Sequence, residues 1–314
     1  MSIAFDITDP IFHDEAKATA HIEADRWPDG VYCPYCGSTK VHKMGGKTQA
    51  GMFVCYDCRD NDDSNDKFTV RTGTIFERSH IPLHKWLLAI RIMAAAKKSV
   101  SSLQLQRMLG LGSYRTAWFM CHRIREAMKP DGTAPIGGQN KVVEADETKI
   151  GGKKKNRAFA KVEPKKHTVL ALVDRDGESR SFHIADVTAK TLREKIVTVA
   201  SRKSHLMTDE HVSYESVGKE FAGHTTVNHS ADEYVRLGGF AHINTAECRF
   251  SLMMRAVFGA HHSVSEAHLH RYLTEWDFKW NTRKIDDGER AALALKGAEG
   301  KRLTYRRPHQ ATNA

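Results

Sequence analysis

Long apolar runs are missing from this chain. None approaches the roughly 18 residues needed to cross a bilayer, so no membrane partner is expected. Basic residues are missing from the first ten positions, which carry Asp6 and Asp9 instead. A secretory leader is therefore not expected there, and the cytoplasm is the expected compartment. Cysteine is scarce, with six in 314 residues, and disulfides are not expected. Acidic residues are in deficit: 38 Asp and Glu against 48 Lys and Arg give a formal charge of +10. Such a balance favours a polyanionic partner, nucleic acid above all, although charge alone does not establish one. No internal repeat is visible. The rest of the composition, 40% hydrophobic and 27% charged, is that of a globular protein with room for two or three domains.

Four of the six cysteines are grouped as Cys33-x2-Cys36-x18-Cys55-x2-Cys58. This spacing fits structural zinc, which takes four tetrahedral thiolates from two tight turns. Gly37 supplies the backbone freedom that such a turn needs. Phe53-Val54 and Phe68-Thr69-Val70 offer strands beside the second pair. A redox reading of Cys33-Pro34-Tyr35-Cys36 leaves Cys55 and Cys58 unexplained. Cys121 and Cys248 stand alone in apolar helical patterns and read as small buried hydrophobes.

The organisation follows from periodicity. Residues 1–27 form a helical lead-in and 28–77 a zinc ribbon. Residues 78–130 are helical, with Trp86, Leu87, Ile90 and Met93 at helix spacing. Ser99 or Ser101 can cap a second helix there, and a turn at 110–113 leads into a third, about Tyr114 to Met128. That arrangement resembles a helix-turn-helix. Pro130 to Gly138 is a linker. From 139 to 285 the period changes. Strands are expected at 141–147, 168–173, 179–185 and 205–208, with an Asp-Gly hairpin turn at 174–177. Helices are expected at 188–200, 245–257 and 264–280. The fold class is α/β with a mixed sheet. The residues from 286 onward read as a charged tail, in part disordered.

Carboxylates gather at the ends of these elements. Glu144 and Asp146 alternate along a strand and so share a face. Asp209 and Glu210 end the short fourth strand. Asn244 and Glu247 lie three apart at a helix start, where they can share a face or cap the helix. Two-metal phosphodiester chemistry needs hard oxygen ligands from several rigid elements. Solvated or capping acids are the plain alternative, and spacing does not separate the two.

Several motifs in order carry a resemblance: Cys33 to Ser38, FTVRTGTIFERSHIPLHKW (68–86), RTAWFMCHRIR (115–125), VEADETKIGGK (143–153), Thr208-Asp209, HINTAE (242–247) and HSVSEAHLHRYLTEWDFKWNTR (262–283). Together they resemble the ISXO-like zinc-ribbon transposases of insertion sequences, over roughly residues 25–285. The resemblance implies an RNase H-like catalytic domain preceded by a zinc ribbon and a helical DNA-binding region. It implies Asp146, Asp209 and Glu247 as the catalytic acids holding two Mg2+ (or Mn2+), with Asn244 as the alternative to Glu247. It also implies one structural Zn2+ and the cutting and joining of DNA. Arg255 sits near a basic position of the family and is a phosphate-contact candidate. Phe250, where Trp is frequent, and the acidic stretch at 60–67 depart from the pattern. Lys153, Lys154, Lys155 and Arg157, with Lys165 and Lys166, form a basic run suited to phosphates. Arg115, Arg123 and Arg125 flank the third helix and are DNA-facing candidates. The expected partners are transposon-end and target DNA, bound by a dimer or larger assembly. The alternatives are a Mg2+-dependent nuclease, a non-catalytic DNA binder derived from such an element, and a zinc-ribbon interaction module.

Overall fold

A computed structural model of the chain describes residues 6–46, 51–61, 65–130, 134–152, 165–228 and 235–304. They fall into two compact units, 1–96 with 100–129 and 285–314, and 97–99 with 130–284.

In the first unit, helix α1 (Glu15–Arg26) starts at Asp14, whose side chain accepts from the Lys17 amide at 3.0 Å. Strands β1 (Val41–Lys43), β2 (Met52–Cys55) and β3 (Lys67–Thr69) form an antiparallel sheet, and helix α2 (Tyr56–Asp60) follows β2 directly. Phe53 stacks on Phe68 with centroids 5.5 Å apart, and Trp27 meets both rings edge-on. Three helices follow: α3 (Leu83–Ala95), α4 (Ser102–Leu109) and α5 (Tyr114–Ala127). Ser101 and Ser113 cap α4 and α5 through side-chain bonds to Gln104 N and Thr116 N, each 3.1 Å. Gly110 ends α4 in the left-handed region at φ 59°.

The segment after Asp286 differs from the charged tail expected there. Asp286 accepts from Gly288 N at 2.7 Å and Glu289 N at 2.9 Å and caps helix α10 (Asp287–Lys296). Between its charges lie Ala291, Ala292, Leu293, Ala294 and Leu295, all good helix formers. Helix α10 packs on α3, and Arg290 donates to the carbonyl of Ala94 at 3.2 Å. Beyond it, Glu299 pairs with Arg26 at 2.9 Å and bridges to Thr74.

The second unit is a five-stranded sheet in the order β6-β5-β4-β7-β8. Its strands are β4 (Val142–Gly151), β5 (Lys166–Asp174), β6 (Ser179–Ile184), β7 (His205–Asp209) and β8 (Gly223–Val227). Strands β4 to β6 form an antiparallel meander, while β7 runs parallel to both β4 and β8. The meander turns at Asp174 to Gly177, where Gly177 N donates to Asp174 O at 3.1 Å. Strand β4 runs four residues beyond the expected end, and β8 was not anticipated.

Helices cover both faces. Val143, Ala145, Leu170, Leu172 and Leu206 face α6 (Ala189–Val199) and the short α7 (Glu215–Gly218). Ile150, Val169, Ala171 and Val173 face α8 (Asn244–Ala256) and α9 (Glu266–Asn281). The buried Arg249 of α8 pairs with Asp277 of α9 at 2.7 Å. Asp277 also accepts from the hydroxyls of Ser179 (3.0 Å) and Ser181 (2.8 Å), which fixes α9 on β6. Cys121 is buried as expected, but Cys248 is exposed. The buried stripe of α8 runs through Ala246, Arg249, Phe250 and Met253 and passes it by.

Gly297 marks how closely the C-terminal segment is fitted. A Cβ there would meet the carbonyl oxygen of Ala127 at 2.2 Å, and backbone cannot easily give way. Gly297→Ala is expected to destabilise the protein by about 1–3 kcal/mol through overpacking, measured by thermal or urea unfolding. A loose tail would give no change.

Candidate functional site

The four cysteines converge. Cys33 Sγ lies 3.8 Å from Cys58 Sγ, and Cys36 Sγ lies 3.6 Å from Cys55 Sγ. One sulfur from each lies within 4.8 Å of the others. A tetrahedron with Zn–S bonds of about 2.3 Å has edges of about 3.8 Å, so the cluster fits a structural zinc. Gly37, at φ 77°, turns the first pair and donates to Cys33 O at 2.9 Å. Cys55 ends β2 and Cys58 sits in α2, so the second pair is set by a strand-to-helix junction. The first pair lies in a turn, and its sulfurs meet those of the second pair, which excludes the redox alternative.

In the second unit Glu144 and Asp146 point from β4 to the face that α8 covers, as alternation requires. Their surroundings differ sharply. Glu144 is fully buried. Its oxygens accept from Arg175 Nε at 2.6 Å, Thr245 N and Ala246 N at 2.9 Å each, and Thr245 Oγ1 at 3.0 Å. It therefore caps α8 from a neighbouring strand, placing negative charge at the positive end of the helix. No oxygen is left over for a metal. No sequence pattern assigns Glu144 this role, because alternation shows its face but not its partners.

Asp146 has no such support. Burial pushes its carboxyl up to about 7, helped by the charges of Glu147, Asp209 and Glu247 and opposed by the Glu147 amide. That amide donates to Asp146 Oδ1 at 2.8 Å. The parallel pairing Glu144↔Met207, continued two residues, brings Asp146 level with Asp209 on the next strand. Asp209 Oδ1 accepts from His211 N at 3.0 Å. Glu247 lies in the first turn of α8, just beyond the amides that Glu144 caps, and is exposed, as is Asn244. The charges of Asp209 and Glu247 thus reach Asp146, but the ligand atoms of the three acids do not gather within 4.8 Å of one another.

Glu147 falls on the opposite face. It accepts a short hydrogen bond from the hydroxyl of the buried Tyr214, and burial raises its carboxyl as well. The sequence offered no signal for this pair beyond the adjacency of Glu147 to Asp146.

The basic candidates separate. Arg115 and Arg255 are exposed. Arg123 is buried, lies over the Phe119 ring at 4.9 Å and donates to Leu303 O at 3.3 Å. Arg125 is buried as well. These two are corrected as DNA-facing residues: from Met120 to Arg125 every residue of α5 is buried, so that stretch has no open face. Lys153, Lys154, Lys155 and Arg157 lie outside the described residues.

Two expectations follow. Cys33→Ala should lose the tightly held zinc, measured by elemental analysis, and lower the unfolding temperature. Glu144→Ala should destabilise the protein by about 3–5 kcal/mol in urea unfolding, because it leaves Arg175 and the α8 amides without their acceptor. Loss of less than about 1 kcal/mol would mean that Glu144 is not what holds α8 to the sheet.

Comparison with known proteins agrees with this architecture. Residues 136–281 match the ISXO2-like transposase domain, and residues 13–61 match the transposase zinc-ribbon domain. A Halobacterium salinarum protein, described as an uncharacterized protein in transposable element ISH50, is 27% identical over 282 residues. The alignment covers 85% of this chain and 91% of that one. Both domains, in order, are thus similar to those of ISXO2-like transposases with a transposase zinc ribbon.

Proposed function

We propose that this protein is an active DNA transposase whose second unit is an RNase H-like catalytic domain. The observation that carries the reading is Asp146, level with Asp209 on the next strand and raised to about 7 by burial and by the charges of Glu147, Asp209 and Glu247. A half-buried carboxylate facing the charges of neighbouring acids favours divalent cations, and hard oxygen donors favour Mg2+ or Mn2+. Strand order supports the fold: the sheet runs third, second, first, fourth, fifth in chain order, and only β5 opposes the others.

Asp146, Asp209 and Glu247 would hold the ions. Bound there, two ions would stabilise the attacking and leaving oxygens of an in-line displacement. Glu247 is preferred over Asn244 because it bears a charge that reaches Asp146. Glu144 keeps α8, and hence Glu247, in place. At the transposon end, water adds to phosphorus and the 3′ oxygen leaves. The freed 3′-hydroxyl then attacks a target phosphorus and displaces a target 3′ oxygen. The zinc ribbon and helices α3 to α5 read the ends, with Arg115 as an exposed contact. Arg255 and the run Lys153, Lys154, Lys155 and Arg157 follow phosphates. Two ends must be joined together, so the working form is a dimer or larger assembly on DNA. The reaction takes place in the cytoplasm, and no helix among the described residues is long and apolar enough to cross a membrane.

The test uses the full chain, Mg2+ and labelled repeat-end DNA. Cleaved and strand-transferred products are expected. Asp146→Asn should reduce both to the metal-free background while DNA binding persists, and normal cutting by this variant sinks the assignment. Cleavage without joining would make the protein a nuclease. Stability gives an independent readout. A carboxyl raised above its unfolded value destabilises the fold as pH rises through about 7. Without metal, Asp146→Asn should therefore be as stable as wild type or more so at pH 8, and should lose the Mg2+-induced rise in Tm.

A further inference from the structure

A second group of metal-binding side chains lies on the same sheet, away from the acids. His167 is on β5 and His183 on β6, and the pairing Val169↔His183 places them diagonally across the hairpin. Alternation puts His167 on the face of Val169, which is the face covered by α8 and α9. The imidazoles meet edge to face with centroids 5.5 Å apart. Glu266 is the first residue of α9, and its Oε2 lies 3.9 Å from His167 Nδ1. One ligand atom from each of the three lies within 4.8 Å of the others.

We propose that His167, His183 and Glu266 form a transition-metal site of the zinc class, separate from the four cysteines. Zinc with N and O ligands at about 2.0–2.1 Å has tetrahedral edges of about 3.4 Å. A shift of about half an ångström in the exposed Glu266 closes the gap from 3.9 Å. Two imidazoles and one carboxylate select zinc-like ions over Mg2+, because nitrogen donors suit borderline metals and hydrated Mg2+ prefers oxygen. Three ligands leave a fourth position for water. The ligands come from two paired strands and a helix that Asp277 fixes to β6, so little ordering is left for binding. On β4, Ile150 pairs with His167 and Asp146 pairs with Ala171, so the two sites are four residues apart along the strand, about 13 Å. The proposal therefore stands without the catalytic reading.

The present holder of the carboxylate is Lys165, whose ammonium pairs with Glu266 Oε2. Its side chain is 74% exposed and can turn out to solvent when a metal takes that oxygen. Coordination ties the β5–β6 hairpin to the start of α9 at the point where the chain joining β4 to β5 returns to the sheet. The metal acts there as a structural clip.

The test titrates Co2+ into the full chain, with zinc retained at the cysteines and other metals removed by mild chelation. One equivalent should bind with the strong visible absorption of a histidine-containing, low-coordinate site, which a hard octahedral carboxylate site lacks. His167→Ala, His183→Ala and Glu266→Gln should each weaken binding about tenfold or more, while Asp146→Asn leaves it unchanged. Lys165→Met should tighten binding by removing the competing cation, and it cannot disturb the core from so exposed a position. Wild-type affinity in the histidine variants, loss of the signal in Asp146→Asn, or unchanged affinity in Lys165→Met overturns the site.

Discussion

The second unit depends on one buried carboxylate. Glu144 enters from the middle of the sheet and accepts from the Arg175 guanidinium and from two amides at the start of α8. Helix starts ordinarily find their caps in the residue just before them, and Ile243 cannot serve. A remote strand therefore supplies the cap, and the helix can begin in one place only. Everything on the first turn of α8 inherits that position, Glu247 included. Hydrophobic contact through Ala246, Phe250 and Met253 presses the helix to the sheet, but such contact tolerates sliding. The directional bonds to Glu144 do not.

Glu144 and Asp146 show how two acids on one face acquire opposite characters. The first is surrounded by donors and a guanidinium, and burial makes those bonds strong. The second is surrounded by other acids, and burial makes their repulsion strong. The same low dielectric acts in both directions. The cysteine cluster is a third case: soft donors at a fixed tetrahedral spacing, suited to an ion that stays.

Much of this was legible from the sequence where the determinants are local. The cysteine spacing, the Ser101 and Ser113 caps and the Asp-Gly turn each depend on a few adjacent residues. The alternation of Glu144 and Asp146 likewise follows from strand geometry. What escaped notice depends on partners far along the chain. Thr245 lies about a hundred residues from Glu144, and no pattern announces the pairing. Strand β8 is short and polar and pairs on one side only, with β7, so its signal is weak. Arg123 and Arg125 read as DNA-facing because charge usually marks an open face, yet α5 is enclosed along that stretch. The helix after Asp286 was hidden by its flanking charges. The acids themselves were named through a family resemblance, since spacing alone does not separate metal binding from capping.

The return of residues 287–304 to α1, α3 and α5 has a consequence for biosynthesis. A ribosome delivers the zinc-binding segment first, then the whole five-stranded sheet, and only afterwards the helix and bridge that complete the earlier unit. The unit begun first is thus finished last. Until then the surface of α3 that α10 covers stays open in the nascent chain, where a chaperone or a neighbouring copy can reach it.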